Sequence, residues 1–201
     1  GITLNGGSLT IGDTSAQTFN LNSAIVLQAD SAIKFKGGST LNYSGTALAV
    51  GKALTLQGTG QMQNTNSLNL SGANGKLNLS GISLTNVITS AGNSGLDINN
   101  SSTVTNFTVN NQTPFNIASG KILSGSITVN SGGEIQLNET GTLASDFSLV
   151  GGSLKVNESS TVSGVVSIAG DSTIEVLGSK TAIFSNGVIN TNNYELTLNN
   201  S

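Results

Sequence analysis

The chain contains no cysteine, no histidine, no tryptophan and no arginine. Without cysteine there is no disulfide framework, no thiol nucleophile and no thiolate metal site. Without histidine the commonest general base and metal ligand is missing. The basic residues are seven lysines (Lys34, Lys36, Lys52, Lys76, Lys121, Lys155 and Lys180), so no guanidinium fork is present for phosphate or carboxylate. Only 8% of residues are charged and the net charge is −3, whereas roughly a quarter of a typical soluble domain is charged. No basic patch marks a nucleic-acid partner. No apolar run approaches the roughly 20 residues of a membrane-spanning helix, so no membrane insertion is expected of this segment. No stretch of this sequence reads as a signal peptide. The sequence opens at Gly1 already inside its pattern, which is expected of a processed product or a piece of a longer chain. Proline occurs once, at Pro114.

What remains is glycine (26 residues), serine, threonine, asparagine and aliphatics, with 36% of the 201 residues hydrophobic. A disordered chain of low hydrophobicity carries high net charge and few β-branched residues. This one has Val, Ile and Leu enough for a core, provided they are regularly placed.

They are. From Ser126 to Gly187 the sequence falls into three rows. The first holds Ile127-Thr128-Val129, Glu134-Ile135-Gln136-Leu137 and Leu143; the second Phe147-Ser148-Leu149, Leu154-Lys155-Val156 and Val162; the third Val166-Ser167-Ile168, Ile174-Glu175-Val176 and Ile183. Corresponding residues recur roughly every 19 to 20 positions, a period that means a solenoid or array. Earlier units vary the same theme, from Ile2-Thr3-Leu4 onward, and a partial last unit ends with Leu196-Thr197-Leu198. One domain over 1–201 is expected, with longer irregular coils in 1–66, regular coils in 67–187 and a partial coil in 188–201.

An apolar-x-apolar triplet turns both apolar residues to one face and the middle residue to the other. No unit supplies the i, i+3, i+4, i+7 pattern of a helix. The triplets are broken by Gly-Gly, Asn-Gly, Ser-Gly and Asn-Asn, which suit the left-handed backbone of tight corners. Three short strands per unit, each stacked on its counterpart in the next, close into a parallel β-solenoid (β-helix) of about nine to ten coils. At a strand spacing near 4.8 Å the rod would be roughly 45 Å long.

Five inward rows are expected. The first strand gives Phe107, Ile127, Phe147, Val166 and Val109, Val129, Leu149, Ile168. The second gives Leu96, Phe115, Ile135, Leu154, Ile174 and Ile98, Ile117, Leu137, Val156, Val176. The third gives Val104, Ile122, Leu143, Val162, Ile183.

The stretch Val129-Asn130-Ser131-Gly132-Gly133-Glu134-Ile135-Gln136-Leu137, followed by Leu149-Val150-Gly151-Gly152-Ser153-Leu154-Lys155-Val156, resembles the passenger repeats of AIDA-type self-associating autotransporter adhesins. It is also similar to the coil repeats of filamentous-haemagglutinin-like exoproteins. The shared motif is a Gly-Gly corner leading into an alternating strand, over about half the chain. The resemblance implies a right-handed β-helix on the outside of a Gram-negative bacterium, engaged in adhesion or self-association. No membrane β-barrel segment and no Asn-Pro motif of a secretion-domain cap is read in this stretch, so an internal part of a longer passenger, or another solenoid lineage, is expected.

Candidate chemistry is thin. Glu139 and Glu158 occupy matching Asn-Glu corners, where stacked carboxylates could share a proton or bind Ca²⁺; two solvated corner groups are the simpler expectation. Asn138 and Asn157 in the same corners are expected to form an amide ladder. Lys155 and Glu175 share a stack position and suit a cross-coil ion pair, with Glu134 nearby on the outward side. Asp13, Asp30, Asp97, Asp146 and Asp171 are scattered at corners, without the fixed offsets of a calcium-binding β-roll. Thr108, Thr128, Ser148 and Ser167 should form a flat outward hydroxyl row, an arrangement that resembles the threonine ladders of ice-binding solenoids but is short and gives way to serine. Asn106-Phe-Thr and Asn138-Glu-Thr are glycosylation sequons that matter only in a glycosylating host.

No catalytic, cofactor or metal residue is assigned and no cofactor is expected. The expected role is non-enzymatic: an extracellular structural or adhesive rod at a bacterial cell surface, partnered by other copies of itself or by cell-surface glycan or protein. Two other readings remain open. Strand edges unpaired at both ends would suit end-to-end stacking into a filament. A groove of clustered carboxylates would mark a carbohydrate-active, tailspike-like β-helix.

Overall fold

In a computed structural model the described residues are 1–46, 48–71, 75–89, 94–190 and 193–201, with the backbone alone for 189 and 190. They form 24 strands, from β1 (Ile2–Leu4) to β24 (Leu196–Asn200), and include no helix. The strands make a parallel β-solenoid of about 9 turns, each strand stacked on its counterpart about 20 residues away.

Each turn has three faces. The first stacks Ile25–Leu27, Leu48–Val50, Leu68–Leu70, residues 87–89, 107–109 and 127–129, Asp146–Val150 and Val166–Gly170. The second stacks Ser8–Ile11, Ser31–Phe35, residues 53–57 and 76–80, Gly95–Asn100, Gln112–Ile117, Glu134–Leu137, Ser153–Val156 and Ser172–Val176. The third stacks Thr18–Leu21, Thr40–Tyr43, residues 60–64, 82–85, 102–105 and 122–125, Thr142–Leu143, Ser160–Val162 and Ala182–Phe184. The expected three short strands per coil hold at both ends of the rod. In the middle, strands run through a corner: Ala53–Asn64 and Lys76–Thr89 each serve two faces or more.

The bend from third to first face is made there by Asn86 and Asn106, with φ of 53° and 58°. Asparagine tolerates this left-handed backbone better than other residues with a Cβ. Their side chains stack as well: Asn106 Nδ2 donates to Asn86 Oδ1 at 3.2 Å, and Asn86 Nδ2 donates to the Asn64 carbonyl.

The core is one continuous column of aliphatic side chains from Leu4 to Ile174, with Phe107 and Phe115 stacked at 5.4 Å. Both first-face rows stand as expected, for Phe107 pairs with Ile127, Ile127 with Phe147 and Phe147 with Val166. On the second face the expected rows break between two coils. Leu96 does pair with Phe115 and Ile98 with Ile117. Phe115, however, pairs with Leu137, and Thr113 takes the place opposite Ile135. A two-residue slip keeps inward residues inward, so alternation alone does not reveal it. Thr113 is fully buried, and its hydroxyl donates to the Asn111 carbonyl at 3.1 Å.

On the third face two expected inward residues point out. Ile122 is 43% exposed and Ile183 56%. Their neighbours fill the core row instead, Leu123 opposite Leu143 and Val162 opposite Phe184. Val104 stacks on Gly125, not on Ile122. Where two adjacent residues are both apolar, a one-residue slip inverts the faces without disturbing the pattern.

Candidate functional surfaces

Charge is concentrated on one side of the rod. Lys34, Lys76, Asp97, Glu134, Lys155 and Glu175 stand on the second face. Ten others, among them Asp30, Lys52, Glu139, Glu158, Asp171 and Lys180, lie at the corners flanking that face, and Asp146 alone starts a first-face strand. Apart from Asp146, the outward strand positions of the first and third faces among the described residues carry hydroxyl, amide and aliphatic side chains.

The carboxylates are engaged one at a time. Lys155 Nζ lies 3.1 Å from Glu175 Oε2, as their shared stack position implies. Glu158 pairs with Lys180 at 2.7 Å across the next coil. Glu134 accepts from Gln136 at 2.6 Å and from the Ser153 hydroxyl at 3.2 Å.

The aspartates do different work from one another. Asp97 is not at a corner: it lies mid-strand opposite Asn78, 2.5 Å from Lys76 Nζ. Asp30, Asp146 and Asp171 each accept a backbone N–H from the next coil, of Ala53 at 2.9 Å, Val165 at 2.8 Å and Glu195 at 2.9 Å. They satisfy donors that the bend removes from the strand ladder. Asp13 closes a local turn on Ser15. The Ser15 backbone N–H, and then its hydroxyl, hold the Asp13 carboxyl below its ordinary range. The Ser201 hydroxyl, and after it Lys155, lower Glu175 in the same way.

The amide ladder is longer than the sequence indicated. Asn157 Nδ2 donates to Asn138 Oδ1 at 2.7 Å, Asn138 to Asn116 at 3.3 Å, and Asn116 to Asp97 at 2.6 Å. Asn138, which begins one sequon, thus has its amide nitrogen inside the ladder. The outward hydroxyl row is in register, Thr108 beside Thr128, Ser148 and Ser167, and continues back to Ile88 and Asn69.

Sequence reasoning missed a recurring buried serine. Ser31, Ser102, Ser160 and Ser172 each take the first inward position after a corner and donate to the carbonyl two residues back, at 2.6 to 2.9 Å. A serine beginning an alternating triplet just after a corner was the available signal. Among the described residues no group of three or more acidic side chains is placed to hold a metal ion. No family model, no curated protein and no solved structure matches the chain.

Proposed function

We propose that the chain is a non-enzymatic, extracellular adhesive module, attaching through its polar faces to cell-surface glycan or protein or to further copies of itself. The carrying observation is the segregation of charge. Two of three faces present flat rows of hydroxyls, amides and short aliphatics along a stiff rod. Depletion of charged groups is the compositional mark of the buried centre of an interface. The carboxylates whose partners are seen are taken up by a lysine, an amide or a backbone N–H, which favours a structural use for them. The resemblance of the Gly-Gly corner repeats to bacterial surface adhesins supports the location.

Beads coated with the full chain test this reading, scored for clustering with one another and for retention on cultured cell layers. Clustering or retention above albumin-coated beads is expected. Behaviour indistinguishable from albumin in both assays overturns the proposal.

A further inference from the structure

On the third face, where it bends into the first, a groove of about 540 Å³ crosses successive coils. Its walls include Asn42, Ser44, Gln63, Thr65, Asn86 and Asn106, and no charged residue lines it. We infer that this groove binds a neutral oligosaccharide laid along the rod axis; the inference rests on the adhesive reading above.

Three features carry it. The first is chemical match. Sugar hydroxyls both donate and accept, and so do carboxamides and hydroxyls. An anionic ligand would find no cation here. The second is preorganisation. Asn42 Nδ2 donates to Asn20 Oδ1 at 2.9 Å, Ser44 Oγ to Asn22 Oδ1 at 2.5 Å, Gln63 Nε2 to Gln61 Oε1 at 3.1 Å, and Asn106 Nδ2 to Asn86 Oδ1 at 3.2 Å. These bonds fix the side chains, so a ligand meets little ordering cost. They do not exhaust them, since each carboxamide has two N–H donors and two carbonyl lone pairs. The third is spacing. Asn42 pairs directly with Gln63 on the adjacent coil, and coils repeat at about the strand spacing of 4.8 Å. That rise is close to the length of one pyranose in an extended glycan, so successive sugars meet successive coils in equivalent positions.

The test is an NMR titration of the ¹⁵N-labelled full chain with cellotetraose, chitotetraose and maltotetraose, and with a chondroitin sulfate tetrasaccharide as the anionic contrast. At least one neutral sugar should move the side-chain amides of Asn42, Gln63 and Asn106 saturably, with the sulfated one inert there. Gln63→Ala with Asn106→Gly, which keeps the left-handed backbone at 106, should weaken binding by about tenfold or more. Gln63→Ala alone, at an exposed position, decides if the double variant loses its native spectrum. No saturable shift at millimolar sugar, unchanged affinity in the variants, or stronger binding of the sulfated sugar at these amides each overturns the assignment. Bead adhesion with unmoved amides rejects the groove and spares the adhesive reading. Sugar-dependent shifts without bead adhesion do the reverse.

Discussion

Lys155 and Glu175 face each other one coil apart, Nζ to Oε2 at 3.1 Å, on the face of the rod where charge is concentrated. Glu175 is held below the ordinary carboxyl range by the Ser201 hydroxyl first and Lys155 second, and Asp13 by Ser15. A carboxyl with a lowered folded pKa stabilises the fold fully above its unfolded pKa, and that contribution is lost as pH falls through the folded value. Urea midpoints should therefore fall between neutral pH and about pH 3, and fall less in Glu175→Gln. A wild-type midpoint that holds or rises in acid contradicts the assignment.

The register on the third face makes a sharp contrast between neighbours. Leu123 is fully buried opposite Leu143, whereas Ile122 is 43% exposed. Leu123→Ala should cost about 2 to 5 kcal/mol by transfer and cavity terms. Ile122→Ala should stay within about 0.5 kcal/mol. Denaturant unfolding of the two variants checks this, and equal losses would mean that the strand faces the other way.

Two glycines with left-handed backbone should differ equally sharply. Gly125 has φ of 121°, and a Cβ there would overlap the Val104 carbonyl oxygen of the coil beneath. Gly120 has φ of 70° with open space around the same added atom. Gly120→Ala should cost about 1 kcal/mol of backbone strain, and Gly125→Ala clearly more, because the two coils must separate. Thermal unfolding of both orders them.

The amide ladder predicts a local effect. Asn138→Ala removes the bonds to Asn116 and Asn157, each worth about 0.5 to 1.5 kcal/mol net. Solenoid repeats contact only their neighbours, so faster hydrogen exchange should appear in the coils holding 116, 138 and 157 and not near the N-terminus. Uniform acceleration would argue against a local ladder.

Much of this architecture is legible in the alternation of Ile127-Thr128-Val129 and its counterparts, because a residue's parity decides its face. The Lys155–Glu175 pair and the Asn138–Asn157 ladder follow from the same stacking. Parity is silent on slips of two, so the exchange of Thr113 for Phe115 in the row above Ile135 is not visible. It is ambiguous where both neighbours are apolar, as at Ile122-Leu123 and Ile183-Phe184. The groove at Asn42, Gln63 and Asn106 draws its lining from four successive coils, and their alignment depends on corner lengths that single-chain periodicity does not supply.

The most direct measurement places charge on the faces that carry almost none. Thr128→Lys with Ser148→Lys marks the first face and Gln63→Lys with Thr85→Lys the third, against Lys155→Ala with Glu134→Ala on the second, all at outward positions. Bead clustering and retention on cells should drop sharply for the all-lysine variant carrying both marked faces and persist for the second-face variant, with little dependence on salt. Adhesion that survives the four lysines but disappears with Lys155 and Glu134, or on raising the salt, would show that the charged face makes the contact.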